Sequence, residues 1–154
     1  MIPADTLQEK LASLTSENRQ TLVYTHPETH SAVKVEINQI DTLACQLWDV
    51  EVVTGVPPKE TITERAEQLT KRVSGLMEPL TALEIDTVRG IAQLRSNPPA
   101  LKNQARHYYE LMVEKSGRTT VRRYEGSYVS MERKRLAFTL TREALAKLVS
   151  DLSS

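Results

Sequence analysis

Apolar and polar positions along the chain alternate with two periods, and the change from one period to the other marks out its elements. Leu7, Leu11 and Leu14 recur at spacings of four and three, which predicts a first helix over residues 6–14, with Asp5 or Thr6 as its cap. Leu22-Val23-Tyr24 is a short strand, and His26-Pro27-Glu28-Thr29 a turn, because proline fixes φ and donates no ladder hydrogen bond. Val33, Val35 and Ile37 alternate with Lys34 and Glu36, the pattern of a strand with one face wet. A longer strand runs from Leu43 to Val53. Its apolar parity moves from Leu43, Cys45 and Leu47 to Trp48, Val50 and Val52, which a bulge or burial on both faces would produce.

The clearest helical pattern spans residues 61–77. Thr61 and Glu64 form a capping box, and Ile62, Ala66, Leu69, Val73, Leu76 and Met77 fall on one face. Gly75 weakens the last turn and Pro79 stops it. Strands follow around 83–86, 91–95, 104–115, 118–125 and 132–140, with turns at Val88-Arg89-Gly90 and Ser116-Gly117 and a loop at Asn97-Pro98-Pro99. Thr141 caps a last helix over 142–152, with Leu145, Leu148, Val149 and Leu152 on one side.

This order (helix, three strands, helix, about five strands, helix) predicts an α+β fold. Its sheet should be antiparallel, of about seven or eight strands, with three helices packed mainly on one face. A chain of 154 residues without a repeat or linker reads as a single domain over 1–154. The order is similar in outline to small bacterial secretion chaperones, domains that dimerise and bind unfolded segments of a client. The resemblance implies a dimer and a protein partner. It covers no motif, and the strands after Gly90 depart from it.

Composition narrows the picture. Apolar residues at 40% and charged residues at 26% suit a soluble globular domain and not a disordered chain. The most hydrophobic stretch, Leu43 to Val53, is interrupted by Gln46, Asp49 and Glu51, so no membrane span is expected. The first residues lack a basic region followed by an apolar one, so no secretory leader is expected either. One cysteine, Cys45, excludes an internal disulfide framework and points to the cytoplasm.

Net charge is zero but unevenly spread. Residues 102–136 hold nine Lys/Arg against four Asp/Glu, whereas 1–101 hold nine against fourteen. Within the basic stretch, Arg118, Arg122, Arg123, Arg133, Lys134 and Arg135 interleave with Tyr124 and Tyr128. Guanidinium groups bind phosphates and tyrosines stack on bases, so Arg118, Arg122, Arg123, Tyr124, Arg133 and Arg135 are the candidate binding residues. The competing reading is a solvated sheet face partly neutralised by Glu110, Glu114 and Glu125.

No other grouping makes a site. His26 and His30 would share a helix face at their spacing, but Pro27 forbids that helix, so no metal is expected. Cys45 with His107 lacks a third group to orient the pair, and Glu84 with Asp86 suits a wet strand face. Glycines stand singly at 55, 75, 90, 117 and 126, so phosphate loops are excluded. No catalytic residue and no cofactor is expected. The sequence points to a non-enzymatic cytoplasmic protein-binding or adaptor domain, a homodimer, that engages another protein by a sheet face or an open strand edge such as 21–24. The first alternative is nucleic-acid binding through the basic strands 118–135. The second is a small-molecule pocket between the central helix and the sheet, lined by Trp48, Leu69 and Val73.

Overall fold

Secondary structure in the computed structural model follows these patterns closely in some elements and shifts in others. The structure describes residues 1–14, 19–97, 100–103, 105–127 and 132–154. In chain order the elements are α1 (Ala4–Ala12), β1 (Gln20–Thr25), β2 (Ala32–Ile40), β3 (Ala44–Val53), α2 (Ile62–Arg72), β4 (Leu80–Asp86), β5 (Ile91–Ser96), β6 (Ala100–Lys102), β7 (Ala105–Glu114), β8 (Arg118–Ser127), β9 (Arg133–Leu136), β10 (Phe138–Thr141) and α3 (Arg142–Leu152). The fold is α+β. All strands join one antiparallel sheet with main path β1-β2-β3-β8-β7-β5-β4. Among the described residues no helix is long and apolar enough to cross a membrane.

Among the described residues seven strands follow α2, where the sequence pattern suggests about five. Residues 100–102 form a short strand of their own against β7. The stretch 132–140 breaks at Ala137 into β9 and β10. That break has a geometric cause. β3 and β8 pair with each other only from Val50–Val53 to Arg118–Val121 and then diverge. β9 runs down the diverging arm of β8, from Gly126↔Arg133 to Arg123↔Leu136. β10 then runs back along β3, from Phe138↔Leu47 to Thr141↔Ala44. The chain fills the fork as a V with its point at Ala137.

The parity change in β3 is a bulge. Glu36 pairs with Asp49 but Ile37 pairs with Leu47, so Trp48 is left over and Cys45 and Val50 both reach the core. All three helices lie on one face. α2 packs on β4 and β5, α3 on β3 and β10, and α1 against α3. Leu7, Leu11, Leu69, Leu145, Leu148 and Leu152 from the helices meet Val35, Ile37, Leu47, Leu94 and Leu111 from the sheet in one buried cluster.

Helix ends follow local chemistry where a side chain can supply it. Thr61 accepts the Glu64 amide at 3.1 Å, and Thr141 accepts the Ala144 amide at 3.0 Å. The Glu64 carboxylate takes the Thr61 hydroxyl rather than the Thr61 amide, so the reciprocal half of the capping box differs from expectation. α1 begins at Ala4 after Pro3 with no side-chain cap, which removes Asp5 and Thr6 from that role. α2 stops at Arg72, not at 77. Val73 turns extended, and Gly75 lies so close to α3 that a Cβ there would sit 3.0 Å from the Ala144 carbonyl oxygen. Leu76 still reaches the core, but Met77 takes a φ of 61° and is 90% exposed, against its placement on the buried stripe. Arg65 is buried and donates to the Leu152 and Ser154 backbone oxygens, closing the end of α3 against α2.

Candidate binding surfaces

Adjacent residues of a strand point to opposite faces, and this divides the six candidate residues. Arg118, Arg122 and Tyr124 from β8 and Arg133 and Arg135 from β9 lie on the face that carries no helix. Arg123 lies on the other. Its guanidinium donates to Glu78 at 3.1 Å and sits 4.4 Å from the ring centre of Tyr109, which meets Phe138 edge-on in the core. Tyr128 and the loop residues Pro98 and Pro99 are outside the described residues.

The centre of the helix-free face is Glu110, whose side chain is only 3% exposed. It accepts from Gln93 Nε2 at 2.8 Å, from both terminal nitrogens of Arg133, and from Arg95 at 3.4 Å. The same two arginines cover two tyrosines: Arg95 lies 4.3 Å over Tyr108 and Arg133 3.9 Å over Tyr124. Tyr108 and Tyr124 are register partners and stack on each other. Burial pushes the Glu110 carboxyl up, but the hydrogen bonds from Arg133 and Gln93 and the charges of Arg133 and Arg95 more than offset it, so the group is held below its usual range. Arg133 is bound in its charged form by the same contact.

Two smaller groups flank this one. Asp49 accepts from Arg135 at 3.0 Å and lies 3.9 Å from Arg122, while Arg135 also donates to the Trp48 carbonyl and sits over the Trp48 ring. Arg118 lies 2.9 Å from Glu51 and 4.0 Å from Glu114. Arg95, Arg118, Arg122, Arg133 and Arg135 thus each have a carboxylate partner on this face. Both stacked tyrosines are buried, so neither offers a ring to a base. The face can hold the strands together and present a balanced polar surface; among the described residues it has little unpaired positive charge for a phosphate backbone.

From sequence Glu110 reads only as a diffuse neutraliser, and nothing in the pattern groups Arg95, Tyr108, Trp48 and Asp49 with the basic strands. The alternation of Tyr108, Glu110 and Met112 marks a second face of β7. Which strands bring arginines onto it depends on a register spanning the whole sheet.

The remaining candidates separate. His26 Nδ1 accepts the amides of Glu28 and Thr29, so that ring ties its own turn. Asp86 does the same for Val88 and Arg89. Among the described residues no group of three His, Cys, Asp or Glu side chains could hold a metal ion. Cys45 is fully buried, and burial pushes its thiol up to about 11, whereas His107 faces Glu125 at 3.8 Å. The pocket expected between the central helix and the sheet is not formed by its three residues. Leu69 and Val73 fill the core, and the β3 bulge turns Trp48 to the opposite face beneath Arg135.

Open space lies on the helix side instead. A groove of about 750 Å³ runs between α1, α3, β10 and the segment after α2, lined by Gln8, Gly75, Met77, Leu140 and Ala144 among others. A second, of about 660 Å³, continues beside it and reaches Leu43, which is 77% exposed. The two share Gln8, Thr141 and Glu143. An exposed apolar side chain thus stands in each half, Met77 in one and Leu43 in the other.

No family model, no curated protein and no solved structure matches the chain. The outline likeness to secretion chaperones accordingly rests on the order of elements alone.

Proposed function

We propose that this domain is a non-catalytic, cytoplasmic protein-binding module of the adaptor or chaperone type, working as a homodimer, that holds an extended apolar segment of a partner along the groove beside α1 and α3. The observation that carries the reading is the pair of exposed apolar residues, Met77 and Leu43, in adjoining halves of one groove, with Ala4, Leu140 and Ala144 beside them and the charged Glu9, Arg142, Glu143 and Lys147 among its polar residues. Exposed apolar side chains grouped on a concave surface with a polar rim are a feature of surfaces that receive a partner. Met77 stands in a left-handed backbone conformation that a non-glycine residue seldom adopts, which fixes an unbranched, adaptable side chain at the groove wall. The lone buried thiol suits a reducing compartment.

The test is fluorescence anisotropy with a labelled, permanently unfolded model protein. Wild-type chain should bind it. Met77→Glu and Leu43→Glu, both on exposed side chains, should each weaken binding about tenfold. Absence of binding by the wild type, or binding untouched by both substitutions, removes the reading.

Nucleic-acid binding through the helix-free face remains the second reading, favoured by Arg95, Arg118, Arg122, Arg133 and Arg135 gathered on one surface. It requires retardation of single-stranded nucleic acid that falls steeply with salt and is lost in Arg122→Ala/Arg135→Ala. The carboxylate partners of those arginines lead us to expect no retardation.

A further inference from the structure

β1 and β4 end the path of the sheet, and the two edges differ. β4 carries Glu84 and Asp86 and slips register at Leu83, the kind of bulge and charge that discourages pairing. β1, Gln20-Thr21-Leu22-Val23-Tyr24-Thr25, has no charge and no proline, and it pairs with β2 without a slip over all six residues. Among the described residues no strand pairs with the outer side of residues 21–25.

The phase of its hydrogen bonds is set by the turn that follows. The His26 amide donates to the Ser31 carbonyl at 2.8 Å, in line with the β1–β2 register. In an antiparallel pair the bonded residues alternate, so Tyr24, Leu22 and Gln20 also bond towards β2. Thr21, Val23 and Thr25 therefore direct their amides and carbonyls outward. Their side chains share the helix-free face, with Val23 66% exposed, while Leu22 and Tyr24 turn to the core side.

We propose that this edge pairs with the same edge of a second copy about a two-fold axis normal to the sheet and centred on Val23. The inference supplies the interface for the homodimer of the reading above and does not depend on the groove. Such an axis keeps all helices of both copies on one face. Antiparallel pairing requires residues of the same face and the same bonding phase to lie opposite each other. A centre at Val23 meets both conditions and uses all three outward residues: Val23 faces Val23, and Thr21 faces Thr25 of the other copy. Between them Leu22 lies opposite Tyr24. These are β-branched and aromatic–aliphatic pairs of the kind that stabilise sheets, and no like charges meet. A centre at Leu22 would leave Thr25 beyond the last strand residue and form fewer bonds. The pairing adds about six backbone hydrogen bonds. An edge contact this small gives a reversible, concentration-dependent dimer.

Sedimentation velocity from about 1 to 500 μM protein should show monomer passing to dimer. Val23→Lys places two ammonium groups directly opposite each other and should weaken association at least about tenfold, with circular dichroism unchanged because the side chain is exposed. A nitroxide on Val23→Cys should show dipolar broadening at high concentration that a nitroxide on Glu84→Cys does not; Cys45 is buried and does not compete for label. Monomer at every concentration overturns the proposal. A dimer that survives Val23→Lys and leaves the label at 23 unbroadened also overturns it, while leaving a homodimer by another surface standing. Met77→Glu tests the groove separately and should leave association unchanged.

Discussion

At Glu110 burial and pairing act in opposite directions on one carboxyl, and pairing wins. The unfolded chain releases this proton near pH 4.3, the folded one only at lower pH. A depressed carboxyl therefore contributes stability that is present above about pH 4.3 and is lost as the pH falls through its folded value. Glu110→Gln should remove that component: urea midpoints measured from pH 7 to pH 3 should fall less steeply in the variant than in the wild type. At pH 7 the variant should be less stable by about 2 kcal/mol, because Arg133 and Arg95 lose the charge they share. Both arginines are partly exposed, which keeps the figure below that for a fully buried pair. An equal pH slope in both proteins would mean that the carboxyl titrates alike in the two states.

At the scale of the element, what the sequence made legible was whatever local chemistry decides. α3 runs over 142–152 as its capping threonine and leucine spacing predict, and β7 and β8 follow their alternation. Other features failed for non-local reasons. The end of α2 is set where Gly75 meets the Ala144 carbonyl of a helix about seventy residues further on in the chain, and no window around residue 77 contains that contact. The V of β9 and β10 exists because β3 and β8 part company, which alternation within 132–140 does not record. Arg122 and Arg123 are grouped as one candidate surface from composition, although neighbours in a strand diverge, and Arg123 turns to Glu78 and Tyr109 on the other face; the carboxylates that meet both arginines lie on other segments of the chain. Where local chemistry decides, single substitutions should behave simply. Thr61→Ala and Thr141→Ala each remove one capping acceptor and should each cost about 1 kcal/mol. The double variant should cost about the sum, since the caps share no partner. Chemical denaturation of the three variants measures this. A Thr141→Ala cost well above 2 kcal/mol would show that β10, which ends on the same residue, loosens together with the helix.

For the whole molecule the decisive joint is the fork. β3 and β8 are the strands through which the β1–β2 side of the sheet is joined to the β7–β5–β4 side, and their direct pairing spans only Val50–Val53. So short a seam would let the two sides open separately if nothing else crossed it. Three further sets of contacts do. β9 and β10 fill the widening gap, Arg135 on β9 bonds to Trp48 and Asp49 on β3, and Arg65 on α2 holds the end of α3. The buried cluster also runs unbroken from Leu22 on one side to Leu94 on the other. Unfolding should therefore be one cooperative transition, as for a single domain. Trp48 is the sole tryptophan and sits at this joint, so its fluorescence reports the fork while far-ultraviolet circular dichroism reports the whole chain. The two urea curves should coincide in the wild type. Arg135→Ala should shift both to lower urea together, by about 1–2 kcal/mol for the lost bonds to Asp49 and the Trp48 carbonyl. Were the fluorescence curve alone to move, the fork would be opening ahead of the rest, and the two sides of the sheet would be separate cooperative units.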